Sequence, residues 1–373
     1  MVAHPTGLSR QFQRAFQHLL DPQVTAAAAQ PAANRYRKHF HAAAHLWILL
    51  RHALSGSPSL RQTHARLDWS PTGWQDVGLN QRVSFSQLAR SSTSRPSACL
   101  EHLAAAVVAQ VPGRRADPVL AQVWARDSSF FTLSAKLSPW SCHGKHVPGI
   151  RLHTDFDFTR SVPSALHWTK AETHDLRHLA ETDLSGLAGW TVVMDIGYYG
   201  HALFQRLRDH GVDFICPRQP QAHLHLDAEC LVGLGMMTAN GDIVLRDAPI
   251  TLGSPHNRAG AVLPHLRLIS SLDPSGGYHE LVTSRHDLDA KDVVMLYHQR
   301  WQIELFFRAL KHQLGTLRPL GTSVEAVWAT ILLGVILWAL LALLEAIQPP
   351  TISNVAWLRA IDQHLTNFLR FTG

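Results

Sequence analysis

From Ala326 to Leu344 the chain reads AVWATILLGVILWALLALL, nineteen residues without a charge. As one helix this stretch is about 28 Å long, close to the hydrocarbon thickness of a bilayer. Two architectures accommodate it: a membrane span, or a helix enclosed on every side by a large core. Its flanks are Glu325 and Glu345, with no cluster of Lys or Arg to orient a span. The buried helix is therefore favoured. A chain of 373 residues is long enough to enclose it, as two or three domains or as one with a large insertion.

Apolar residues make up 46% and charged residues 17%, which excludes a disordered or fibrous chain. Cys99, Cys142, Cys216 and Cys230 lie far apart with no CxxC pair. That pattern excludes a disulfide framework and a cysteine zinc ribbon, and points to a reducing cytoplasm. The opening MVAHPTGLSRQFQRAF lacks the apolar core of a secretory signal. The net charge of +6 permits a polyanionic partner such as nucleic acid without establishing one, and the 25 His add charge below neutral pH.

Residues 1–120 read as a helical N-terminal domain. RKHFHAAAHLWILLRHAL is a helix candidate and SPSLRQTHARL follows a Gly-Ser-Pro break. VSFSQLARSSTSRPSACLEHLAAAVVAQV offers two helical pieces around a turn ending at Pro96, the outline of a helix-turn-helix with Arg90 and Arg95 near the turn. Such an outline also occurs in bundles that bind no DNA. From about residue 120 the period changes. VWARDSSFFTLSAKL, GIRLHTDFDFTR and SALHWTKAE alternate as strands, followed by helix, strand, helix and strand through VDFICPR. The class is α/β with an initial meander. Residues 218–285 hold short β-like pieces with turns at Asn240-Gly241 and Gly276-Gly277, a β-rich insertion. A single long helix is expected from about Asp289 to Leu314, then the apolar helix, then a C-terminal helical tail at 346–373.

Within that long helix Tyr297, Arg300, Glu304 and Lys311 follow the spacing Y-x2-R-x3-E-x6-K. At 100° per residue they share an arc of about 60°, beside an apolar arc carrying Ile303, Phe306, Phe307 and Leu310. On an arbitrary helix this is a solvated stripe of weak ion pairs. Two further acids change its meaning. Asp127 lies in the first strand of the mixed region and Asp195 ends the apolar strand WTVVMD. A carboxylate at the end of a buried strand is costly unless something compensates it, and strand ends are where α/β sheets gather ligands. Asp127, Asp195 and Glu304 are thus candidates to hold two divalent cations such as Mg²⁺ for phosphoryl displacement.

The segments RDSSFF around Asp127, GIRLHTDFDFTRSVPSALHWTKAETHD, VVMDIGYYGHALFQRLRDHGVDFI around Asp195 and YHQRWQIELFFRALKHQLG around Glu304 resemble the DDE transposases of bacterial insertion sequences, in the IS-four-like group. The resemblance covers about 120–345. It implies an RNase H-like mixed-sheet catalytic core at 121–217 and 286–345, interrupted by the β-rich insertion 218–285. By carry-over Asp127, Asp195 and Glu304 form the metal-holding triad, served by two Mg²⁺ ions with Mn²⁺ as a substitute. Tyr297, Arg300 and Lys311 contact the transposon-end DNA near the cleaved phosphate. The expected reaction is hydrolysis at the element ends, then attack of the freed 3′-hydroxyl on target DNA. The expected state is a homodimer in the DNA complex, in the bacterial cytoplasm with the nucleoid and not in a membrane. Residues 218–285 contain no Trp, so whether excision passes through a hairpin stays open. The resemblance also makes the apolar helix part of a soluble fold.

Other features carry less. His223, His225 and Cys230 fit no standard zinc spacing. His39 and His41 suit surface or packing roles, and Trp301 suits stacking on a base or packing against the sheet. The rival function is a catalytically inactive, transposase-derived DNA-binding protein.

Overall fold

The computed structural model describes residues 19–30, 33–34, 39–54, 57, 59–113, 118–120, 122–136, 138–142, 147–170, 173, 175–227, 231–254, 262–313 and 319–347. The chain packs as two units. One comprises Met1–Pro112, Ala135–Trp140 and Phe306–Gly373, the other Gly113–Ser134 and Ser141–Leu305.

The first unit is helical. After a helical stretch at 19–28 come Ala42–Leu54, Leu60–Trp69, Phe85–Ser94 and Ala98–Ala109. Ser59 and Ser84 cap the second and third of these, accepting from the backbone N–H of Gln62 and Gln87. The uncharged stretch is the core of the helix Val324–Ile347. It packs on Ala42–Leu54, Phe85–Ser94 and Ala98–Ala109. By length and composition it is the one described helix able to cross a membrane, and 83% of its apolar window is buried within the protein. Trp328 Nε1 donates to Glu101 Oε1 at 2.7 Å, and the Thr330 hydroxyl donates to the Ala326 carbonyl at 2.7 Å. The Trp328 and Thr330 polar groups on the buried helix are thus satisfied, as burial requires.

At the turn of the helix-turn-helix outline Arg95 directly follows the helix Phe85–Ser94. The helix before it ends where Pro96 disfavours further helix. Arg95 then folds inward: it is buried, its guanidinium donates to the Phe40 carbonyl, and it lies 4.8 Å over the Phe40 ring. Arg95 holds the bundle together, whereas Arg90 is exposed.

Among the described residues the second unit holds a mixed sheet of ten strands: β1 Val123–Thr132, β2 Gly149–Asp157, β3 Val162–Lys170, β4 Thr191–Met194, β5 Asp213–Pro217, β6 Leu224–Leu226, β7 Leu231–Met237, β8 Ile243–Leu252, β9 Leu263–Leu272 and β10 Tyr278–Thr283. The order is β3-β2-β1-β4-β5-β10-β9-β8-β6, with β7 also on β8. β1 to β3 form the expected antiparallel meander, while β4 runs parallel to β1 and β5 parallel to β4. β10 joins β5 antiparallel, so the β-rich segment continues the same sheet.

The helices Asp175–Glu181 and His201–Asp209 lie between β3 and β5 in sequence. Against the sheet, Phe204 stacks on Phe214 at 4.2 Å in a core shared with Trp124, Val192, Met194, Tyr198 and Leu268. Burying such side chains contributes roughly 1.5–3 kcal/mol each.

The long helix expected from Asp289 to Leu314 is broken. Ala290–Gln299 ends before Arg300, Trp301–Arg308 follows, and Ala309–Gln313 is a π-helical turn; Leu314 lies outside the described residues. At the break Arg300 N–H donates to Tyr297 O and Ile303 N–H to Arg300 O, both tighter than α-helical bonds. The even 100° progression therefore fails at two places, at Arg300 and at the π-helical turn.

Candidate active site

β1 and β4 run parallel, with Arg126 opposite Met194 in register. The next residue on each strand is Asp127 and Asp195, so the two acids stand side by side about 4.8 Å apart at the backbone. Each has a local reason for its orientation. The Asp127 Oδ1 accepts the Ser128 N–H at 2.7 Å. Asp195 follows the last residue of β4 and caps the turn Ile196–Tyr198, its Oδ1 accepting the Gly197 N–H at 2.9 Å. The Cys216 thiol on β5 donates to the Asp195 carbonyl at 3.3 Å.

The third acid arrives from the broken helix through Arg300. Arg300 Nη1 donates to Asp127 Oδ2 at 3.2 Å and Nη2 to Glu304 Oε1 at 2.5 Å. Its guanidinium also lies 5.7 Å from the Tyr297 ring centre. The structure thus gathers Asp127, Asp195, Tyr297, Arg300 and Glu304. Lys311 falls in the helical unit, on the π-helical turn, half-buried, with desolvation pulling its ammonium pKa down.

The electrostatics carry a signature of unbalanced negative charge. The Asp127 pKa is raised from 3.8 to about 7, first by burial and then by the Asp195 carboxylate beside it, with Arg300 and the Ser128 N–H opposing. Burial likewise raises Asp195, against Arg300. Among the described residues no three His, Cys, Asp or Glu side chains stand close enough to hold a metal ion together. The place between Asp127 and Glu304 is taken by the Arg300 guanidinium, a cation already seated where the acids favour one.

Residues 120–340, more than half of the chain, match the family described as the transposase DDE domain. The chain belongs to that family. It is 26% identical over 207 residues to transposase y4zB of Sinorhizobium fredii, covering 55% of this chain and 56% of the relative. It is 24% identical over 216 residues to a protein named as transposase for insertion sequence element IS5377 of Geobacillus stearothermophilus, covering 58% and 54%. The chain spans about half the length of the curated relatives it matches. A piggyBac transposase solved in a synaptic complex with hairpin DNA covers 97% of this chain and 81% of its own, at 9% identity and a TM-score of 0.44.

Within this DDE domain some neighbours were not legible as site residues. Ser128 and Asp175 are joined by a 2.5 Å hydrogen bond from the Ser128 hydroxyl. The Tyr198 hydroxyl is fully buried without a hydrogen-bond partner among the described residues, and its pKa is pushed well up by burial and by Asp175, Asp127 and Asp195. Asp175 opens the helix Asp175–Glu181, and the helical reading of HDLRHLAETDL carried no mark of a site. Trp301 is 49% exposed. Of the zinc candidates, His225 is exposed and 3.6 Å from Asp227, and Cys230 lies outside the described residues.

Proposed function

We propose that this chain is the transposase of a bacterial insertion sequence, cutting DNA at the element's ends and joining the freed 3′-hydroxyl to target DNA. The observation that carries this is the pair of acids beside each other where two parallel strands part, Asp127 buried within β1 and Asp195 half-buried just beyond β4, with Arg300 bracketed by Asp127 and Glu304, inside a DDE domain match. The strand order β3-β2-β1-β4-β5, antiparallel then parallel, supports an RNase H-like core at 121–217 and 286–345 with 218–285 as its insertion. Residues 1–120 would bind end DNA; residues 348–373, most of the tail, lie outside the described residues.

The donor set fits Mg²⁺, with Mn²⁺ as a substitute. Asp127 and Asp195 offer hard carboxylate oxygens, and their raised pKa values mean that added positive charge lowers their energy. Asp127, Asp195 and Glu304 would hold two such ions, whose bound charge would stabilise the attacking and leaving oxygens of an in-line displacement. In the DNA complex Arg300 leaves the acids for a phosphate oxygen, which releases Asp127 and Glu304 to the ions. Tyr297 orients the same phosphate through its hydroxyl, and Lys311 adds charge along the backbone. Two copies would act together on paired ends, in the cytoplasm beside the nucleoid.

Purified protein with end-bearing DNA in Mg²⁺ tests this. Replacing Asp127, Asp195 or Glu304 with Ala should abolish strand breakage while leaving DNA binding; full cleavage by any of the three removes its assigned role. One observation favours a second function, a transposase-derived protein that binds DNA without cutting: Arg300 separates Asp127 from Glu304. Binding without breaks by the wild-type protein would select it.

A further inference from the structure

β4 ends at Met194, opposite Arg126, so from Asp127 onward β1 has a strand neighbour on one side only among the described residues. On its open side the Ser128 N–H is held by the Asp127 carboxylate at 2.7 Å. The Ser128 hydroxyl is in turn tied to Asp175 Oδ1 at 2.5 Å and to Arg151 Nη1 at 3.1 Å. Arg151 Nη1 also reaches both Asp175 oxygens at 3.4 Å. Ser128 is directly opposite His153 in the β1–β2 register, so these two side chains share a face while Asp127 takes the other. His153 is buried with its Nδ1 3.6 Å from Asp175 Oδ1, and its ring stacks on His178 at 3.8 Å. Asp175 is therefore gripped by a serine, an arginine and a packed imidazole, behind the strand that carries Asp127.

We propose that Asp175 is a positioning residue for the acidic pair: through the Ser128 hydroxyl it fixes the peptide whose N–H orients Asp127. This rests on Asp127 serving as a cation ligand. Removing Asp175 frees the Ser128 peptide to turn on the side where no strand restrains it, and Asp127 then loses its fixed carboxylate direction. A partner that orients a ligand in this way is worth about 10–100-fold in metal affinity. The group has to accept a hydrogen bond, and the charge itself is secondary.

Mn²⁺ binding to the full-length protein, followed by the electron paramagnetic resonance of free Mn²⁺, reads this without any cleavage. Asp175→Ala and Ser128→Ala should each weaken Mn²⁺ binding about 10–100-fold. The double variant should lose no more than either alone, because both act through one hydrogen bond. Asp175→Asn and Ser128→Thr keep that bond and should recover most of the affinity. Should Asp175→Ala fail to fold, Ser128→Ala carries the same measurement. Wild-type affinity in folded Asp175→Ala or Ser128→Ala, with Asp127→Ala impaired, overturns the inference and leaves the proposed function standing. So does an Asn variant as weak as the Ala variant. Unchanged affinity in Asp127→Ala sinks the proposed metal site and this inference with it.

Discussion

Asp127→Asn should make the metal-free protein more stable while removing its activity. The folded Asp127 carboxyl has its pKa raised from 3.8 to about 7, first by burial and then by Asp195. A folded pKa above the unfolded one means that the folded chain holds its proton longer. The stability this represents is complete below pH 3.8 and is lost as pH rises through about 7. The full span corresponds to about 4 kcal/mol, and the part between about pH 5.5 and about pH 8 to about 2 kcal/mol. Asparagine is nearly the same shape and carries no such titration. Its advantage over aspartate should therefore grow by about 2 kcal/mol across that interval.

Urea unfolding in a chelator at the two pH values measures the gap as a shift in midpoint at constant slope. Adding Mg²⁺ at about 100 times its dissociation constant should then stabilise the wild type by about 2.7 kcal/mol and the variant by much less. At the higher pH that would close about two thirds of the gap of about 4 kcal/mol. Equal midpoints at the higher pH, or a gap that ignores pH, would refute the account of the acidic pair as a store of unbalanced charge.

Three further outcomes follow from other parts of the fold. His153 is buried with its pKa lowered to about 3, mainly by desolvation and then by His178, so its contribution is complete above pH 6.5 and shrinks as pH falls toward 3. His153→Gln should flatten the acid limb of a stability profile, by up to about 3 kcal/mol between pH 6.5 and about pH 4.5; an unchanged limb would contradict this. Ile336→Ala, in the middle of the buried apolar helix and fully enclosed, should cost about 2–5 kcal/mol in urea unfolding, and a loss below about 1 kcal/mol would mean that the helix is not packed as described. Gly149 pairs with Thr132 at the β1–β2 end, where a Cβ would run into the Phe131 carbonyl and the Phe130 ring. Gly149→Ala should destabilise by about 1–3 kcal/mol, and wild-type unfolding would contradict that crowding.

What the sequence could and could not express follows from the range of the forces involved. Asp127 and Asp195 stood out because a charge in or beside an apolar strand violates a local rule, and local rules are written in neighbouring residues. The meander and the alternating strands were legible for the same reason. Their register was not. Asp127 stands beside Asp195 because two strands separated by a meander and a helix happen to pair in parallel with Arg126 on Met194, and no spacing encodes that. Nor could the insertion strands be seen to extend the core sheet, since β10 meets β5 across some sixty residues.

Arg300 shows the limit most clearly. Its helical phase relative to Glu304 was readable, and the 2.5 Å pair between them is the ordinary consequence of a four-residue offset. Its second bond, to Asp127, lies 173 residues away in sequence, and that bond goes with a helix broken at the residue where the pattern predicted continuity. A long-range partner strong enough to accompany a backbone break is also one that a nucleic-acid phosphate would have to outcompete. The strength of the Arg300 pairings therefore sets a threshold on when the acids become available. Arg300→Ala should bind Mn²⁺ at least as tightly as the wild type while binding end DNA more weakly. If both affinities fall together, Arg300 supports the acidic pair and does not occupy it.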